Sequence, residues 1–329
     1  MDGLKRGSAA IVGVAESDLG EVADGMSVID LMAQGAKRAL DDCGLSLKDV
    51  DGLFSATTQS RLSVLALAEY LGVNPSFLGS TIVGGSSFEY HVAHAMGAIA
   101  LGLCNVAVIA YGSTQRSVGR KQASVREVNP YETPFKPFLP ASAYALAASR
   151  HIHEFGTTRE QLAAVAVAAR EWALLNPAAW EKRPLTIEGV LSSRIVSYPF
   201  TVRDCCLVRG GAIVVTSAER AKSLRKARCG QSVTHASISS MPDLTVTGAL
   251  TAGKAAYAMA KLGPADINAV EVYDAFTINT WRTSAFARKA RAVLSSAAGA
   301  SVPTVALAHG NGGVFSSQAT VILGTQTTL

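Results

Sequence analysis

The feature that most limits the fold is an alternation of short apolar runs with Ala-rich segments of helical period. Ala9–Val14, Val50–Ser55, Phe77–Val83 and Val106–Ala110 read as strands. Between them, Ser27 caps a helix to about Cys43, Leu62–Leu71 forms a second and Phe88–Leu103 a third. Ile29, Leu31, Met32, Ala36 and Leu40 share one face of the first helix, and Gly44 stops it. Val106–Ala110 is apolar throughout, as a strand covered on both faces must be. Such alternation predicts an α/β fold with a mostly parallel sheet under helices. The 329 residues suffice for two such units.

Residues 113–156 interrupt the alternation. Pro130, Pro134, Pro137 and Pro140 predict an irregular excursion over the surface, the kind of segment that often carries function. Thr157 or Thr158 then caps a helix from Glu160 to Leu175, ended by Asn176-Pro177. Ala212–Thr216 reads as a strand and Glu219–Arg228 as a basic helix. A second unit follows: strand Val233–Ile238, helix Gly248–Leu262, and strands Val270–Tyr273, Val305–Ala308 and Ala319–Leu323. Residues 45–55 resemble residues 262–272, aligning Asp49 with Asp266. With the shared element order, this points to two duplicated α/β units.

Composition excludes several classes. Hydrophobic residues are 49% and charged residues 17%, which rules out a disordered chain. No run of about 18 uninterrupted apolar residues is present. The net charge of +5 is mild. The basic run Arg220, Lys222, Arg225, Lys226 and Arg228 has no interleaved aromatics, so it reads as a solvated helix face rather than a nucleic-acid surface. An anionic ligand is the alternative. Five cysteines without C-x-x-C spacing, and an N-terminus without an apolar signal core, point to a reducing cytoplasmic setting. No Cys/His cluster has metal-ligand spacing, so no metal is expected.

Three segments then coincide. Gly84-Gly85-Ser86-Ser87-Phe88 opens a helix that runs into residues 98–113. Val-Glu-Val-Tyr-Asp-Ala-Phe-Thr occupies 270–277. His309-Gly310-Asn311-Gly312-Gly313 precedes an apolar strand. Together they resemble the thiolase superfamily, in its lipid-transfer or sterol-carrier-protein branch. The resemblance covers nearly the whole chain. It implies a five-layer αβαβα fold from two halves, with the second half truncated here. It places an N-terminal half at 1–112, a loop domain at 113–176, completion of the first half at 177–230 and a shortened C-terminal half at 231–329. It also implies acyl-CoA thioester substrates, a homodimer, and no cofactor beyond the CoA of the substrate.

The resemblance assigns roles residue by residue. Thiolases place a cysteine at a helix N-terminus, where the dipole lowers its pKa and the thiolate takes the acyl group. Gly85 occupies that position, so Cys-dependent acyl transfer is disfavoured. Gly85 and Ser86 then let a thioester approach the backbone. Tyr273 stands at the first position of the family's Asn-Glu-Ala-Phe motif, as in aldolase-like members that cleave steroid CoA side chains. Its hydroxyl can donate to an enolate oxygen or exchange a proton with a hydroxyl, or its ring can simply pack at a strand end. Asp274 reads as a helix cap. His309 replaces the acid/base cysteine of the Cys-x-Gly-Gly-Gly turn, with backbone bonding as the alternative. Asn311, Gly312 and Gly313 form a tight turn beside substrate. His91 and His94 are read as packing at a dimer interface, and Cys205-Cys206 as buried packing beside an Asp204 that orients backbone.

After Asn279 the family pattern fails. The Gly-Phe-Cys loop and the Gly-His-Pro loop with its catalytic histidine are missing. Back-translated with GC-rich codons, Ser284–Ser295 shifted by two bases can spell the first of these loops. A frameshift and rejoining over 282–301 would account for this, and the gene's codons test it. The reading is a thiolase-like protein acting on lipid or steroid acyl-CoA, with retro-aldol cleavage more plausible than thiolysis. A small zinc-ribbon/OB-fold protein is the implied partner. The alternative is a catalytically impaired acyl-CoA binder or scaffold.

Overall fold

In the computed structural model, the described residues are 8–18, 21–114, 117, 129–177, 179, 181–205, 211–221, 226–233, 237–267, 269–272, 276–279, 292–295, 305–312 and 317–324. The chain runs β1 (Ala9–Glu16), α1 (Val28–Asp42), β2 (Gly52–Ser55), α2 (Ser63–Leu71), β3 (Phe77–Gly79), α3 (Ser87–Ala100) and β4 (Val106–Tyr111). Next come α4 (Ala141–Phe155), α5 (Arg159–Leu175), α6 (Ile187–Leu191), β5 (Ile195–Ser197), β6 (Phe200–Thr201) and β7 (Gly211–Ser217). The remainder is β8 (Lys226–Val233), α7 (Ala249–Ala260), β9 (Ala269–Val272), β10 (Ala292–Ser295), β11 (Val305–Gly312) and β12 (Ser317–Gly324).

Local chemistry sets the helix starts. Ser27 and Asp30 form a capping box at α1: Ser27 N donates to Asp30 Oδ2 at 2.7 Å and Asp30 N to Ser27 Oγ at 3.2 Å. Thr158 and Gln161 do the same at α5. Ser27 was legible from the sequence, and of Thr157 and Thr158 the cap is Thr158.

Ten strands pair in the order β10-β9-β11-β12-β8-β1-β7-β4-β2-β3. Two five-stranded halves meet at one residue pair, Ala10 with Lys226. In the first half β2 is parallel to β3 and β4, and β7 is antiparallel to β4 and β1. In the second, β9 is parallel to β10 and β11, and β12 is antiparallel to β11 and β8. The two plans superimpose strand for strand, as duplication requires.

The period of two in β2 and β4 divides their apolar residues between two faces. Leu53 and Val108 pack under α1 and α2 with Met32, Leu40 and Leu67. Phe54 and Ile109 pack under α3 with Val92 and Met96. This two-sided cover is why Val106–Ala110 tolerates no polar residue. The helix α3 also lies against β8, β11 and β12, so it is shared by both halves, and α7 covers β8 and β12. This is the αβαβα order.

Several assignments change. The proline-rich excursion contains α4, because all four prolines precede it and Pro140 sits at its N-cap, where no helical N–H is needed. Residues Lys226–Val233 are a strand, not the end of a basic helix, because they pair along their length with β12; tertiary pairing overrides helix propensity. The strand read at Val233–Ile238 is therefore displaced, since β8 ends at Val233. Phe77–Val83 shortens to Phe77–Gly79. Ala292–Ser295, inside the anomalous segment 282–301, is an edge strand beside β9.

Candidate active site

The turn before α3 is closed by its own side chains. Ser87 Oγ donates to Gly84 O at 2.6 Å and accepts from Val83 N at 3.0 Å. Gly84 has φ +85°, a conformation that favours glycine. Gly85 is exposed and directly precedes the buried Ser86 at the N-cap. The Ser87 proton is committed to Gly84, so this hydroxyl is a structural lock and not an available nucleophile.

One turn on, His91 is fully buried and bonded through Nε2 to Thr81 O at 3.0 Å. It packs between the Phe54 and Phe88 rings. Burial pushes its pKa down to about 4, so the imidazole is neutral at pH 7. His91 thus belongs to the protomer core rather than to an interface, while His94 is exposed.

Register brings the other segments to this end of α3. Tyr90 Oη donates to Ser232 O at 3.0 Å, and Gln231 Nε2 to Tyr90 O at 3.4 Å. Ser232 pairs with Gln318, and Gln318 with Asn311. Two ladder spacings, about 10 Å, separate Ser232 from Asn311. His309 pairs with Val272, the last residue of β9. The His309–Gly312 backbone, the end of β9 and the first turns of α3 therefore share one edge of the molecule. Tyr273, Asp274 and Gly313 lie outside the described residues.

Phe276 and Thr277, which follow Tyr273 in sequence, are anchored. Phe276 stacks on Tyr144 of α4 at 4.5 Å and on Phe200 of β6 at 5.3 Å, and its backbone bridges to Cys205. Thr277 Oγ1 donates to Asp204 Oδ1 at 3.1 Å. Asp204 Oδ2 accepts from Thr201 N and Thr201 Oγ1, both at 2.8 Å. Asp204 does orient backbone, as its sequence position indicated. Sequence reasoning gave no role to Thr277, Tyr144 or Phe200, whose contacts converge on Asp204 and Phe276.

Thiol chemistry is unfavourable at the described cysteines. Burial pushes Cys205 up to about 12, with help from Asp204, and Cys104 up to about 11; it also raises Cys43. Among the described residues, no group of three His, Cys, Asp or Glu is placed to hold a metal ion.

A thiolase C-terminal domain-like family model matches residues 230–287. The chain is 32% identical over 300 residues to a 17-hydroxy-3-oxo-4-pregnene-20-carboxyl-CoA lyase of Mycobacterium tuberculosis, covering 82% of this chain and 76% of that protein. It belongs to the aldolase-like branch of the thiolase superfamily. A steroid side-chain-cleaving aldolase of Thermomonospora curvata is also 32% identical, over 297 residues, covering 82% of this chain and 75% of that one. The solved Ltp2-ChsH2(DUF35) aldolase superimposes with a TM-score of 0.80 at 26% identity, over 97% of this chain and 98% of that one.

Proposed function

We propose that this chain cleaves a carbon–carbon bond of a steroid-derived 3-hydroxyacyl-CoA by retro-aldol chemistry. The observation that carries this reading is the α3 N-terminus, where Gly85 offers no nucleophile and Ser87 is locked. The relatives named as a lyase and an aldolase support the substrate class. In the reaction the substrate hydroxyl gives its proton to a base and its oxygen becomes a carbonyl. The Cα–Cβ bond breaks, and its electron pair moves to Cα as the thioester enolate, which is then protonated. Tyr273 is the group we assign to the hydroxyl proton or the enolate oxygen, and His309 to the second proton transfer. Gly85, Ser86, Asn311, Gly312 and Gly313 line the thioester path. The CoA thioester is the substrate, and no cofactor enters.

A partner protein fits this reading, because the similar Ltp2-ChsH2(DUF35) aldolase is named for two components. A zinc-ribbon/OB-fold protein completing the CoA path, a homodimer and a cytoplasmic setting complete the proposal. Among the described residues, no helix is long and apolar enough to cross a membrane. The second reading, an acyl-CoA binder without turnover, is favoured by the short connection of residues 296–304 between β10 and β11.

Incubation with a steroid 3-hydroxyacyl-CoA, and separately with a 3-ketoacyl-CoA plus CoA, with partner added, separates these. Cleavage of the hydroxyacyl ester alone is the expected result. Saturable binding of both esters with no products would replace the enzyme by the binder.

A further inference from the structure

We propose that Tyr90 is a positioning residue that sets the spacing between two banks of the candidate site, the N-terminus of α3 and the β8–β12–β11 ladder. The inference rests on the lyase reading for its kinetic part, while its structural part stands on contacts in this chain. One bank is the turn at Gly84–Ser87. Tyr90 belongs to it, because Tyr90 N donates to Ser86 O at 3.2 Å in the first turn of α3. The other bank is the backbone of β11, reached from Ser232 through Gln318 to Asn311. Tyr90 holds that bank twice. Its Oη donates to Ser232 O at 3.0 Å, and its carbonyl oxygen accepts from Gln231 Nε2 at 3.4 Å.

The sheet does not tie the halves at this end. Among the described residues, β1 and β8 pair only at Ala10 with Lys226. Ser232 lies six residues further along β8, about 20 Å away at the rise of a strand. Helix-on-sheet packing permits small slides, because apolar contact is non-directional. A hydrogen bond is directional and fixes both a distance and an angle. Tyr90 is buried, at 6% exposure, and burial raises its pKa, so the phenol keeps its proton and donates. A phenylalanine would fill the same space without burying a hydroxyl. What the hydroxyl adds is position. Tyr90 acts through the backbones of α3 and β8 and is assigned no contact with the reacting atoms.

The test compares Tyr90→Phe, Tyr70→Phe and wild type in the full chain, with partner present. Tyr70 is the control: its Oη donates to Asp30 Oδ1 at 2.7 Å, a phenol bond within the first half. Cleavage of a steroid 3-hydroxyacyl-CoA is read alongside hydrogen exchange of the β8 peptide, 226–233. For Tyr90→Phe, exchange of that peptide rises about fivefold, the loss of one hydrogen bond. Its kcat falls about tenfold, with KM within about threefold, since a displacement near 1 Å can cost about 100-fold. Tyr70→Phe leaves exchange and kcat within about twofold of wild type. Gln231→Leu moves both in the same direction as Tyr90→Phe. The double variant loses less than the product of the two single losses, because both break one contact. Unchanged exchange in Tyr90→Phe overturns the tie. Raised exchange with unchanged kcat, or a loss confined to KM, overturns the positioning role. Either result with an active wild type leaves the lyase reading standing. A wild type that does not cleave the ester ends that reading and the positioning role with it.

Discussion

The two halves share one strand plan and differ in what is packed on it. In the first, α2 links β2 to β3 and α3 links β3 to β4. In the second, residues 296–304 connect β10 to β11, fewer than the 14 residues of α3 alone. Strand order needs only the ladder, so it survives the shortening. Burial needs helices, and there the halves diverge. The first half is covered on both faces. The second leans on the shared α3, on α7 and on the Phe276 cluster under α4. Among the described residues, two core clusters lie in the first half, while Tyr273 and His309, the two groups proposed for proton transfer, both fall in the second.

That division can be broken by mutation. Tyr273→Phe lowers lyase kcat about 100-fold or more, with an unchanged unfolding midpoint. Equal loss of activity and stability would show that the second half is not separable in this way. In the first half, Phe54→Ala removes a fully buried ring next to Gly79 and costs about 3–5 kcal/mol in urea unfolding, with kcat of the folded fraction unchanged.

A pH effect follows from His91. Its folded pKa, about 4, lies below the ordinary value of 6.5, so the unfolded chain binds the proton first as pH falls. Stability therefore declines between pH 6.5 and 4, by about 3 kcal/mol, and this contribution levels off below. His91→Phe removes that slope, measured as the change in urea midpoint between pH 7 and pH 4.5.

The smallest effect separates the two opening helices. The Ser27–Asp30 box caps α1, whereas Gly248 at the N-cap of α7 makes no side-chain cap bond. Ser27→Ala costs about 0.5–2 kcal/mol, while Gly248→Ala stays within about 0.5 kcal/mol. Thermal unfolding of the two variants tests this ordering. The Asp30 carboxyl is held low by the Tyr70 hydroxyl first and then by Ser27. Its contribution is present above the ordinary carboxylate range and is lost as pH falls through the lowered folded value.

The duplication was legible before any coordinates. Asp49 and Asp266, aligned from sequence, both sit in a 3₁₀ turn and both accept the N–H that opens it, from Ser46 at 2.9 Å and Gly263 at 2.7 Å. Helix caps were legible for the same reason: the bond is made within three residues, so the sequence carries it. The helix α4 was obscured by prolines that turn out to precede it. The Lys226–Val233 strand was obscured because its partner lies about 90 residues on, beyond any local signal.

The sequence by itself determined the α/β alternation, the two-unit repeat, the superfamily and the glycine at position 85. These are local or residue-identity properties, set by periodicity, caps and motif order. Only the tertiary structure decided that Ser87 is locked, that His91 belongs to the core, and that Asp204 holds Thr277. Each depends on burial and on contacts between segments far apart in the chain. A hydroxyl, an imidazole or a carboxylate acquires its role from the groups the fold places around it.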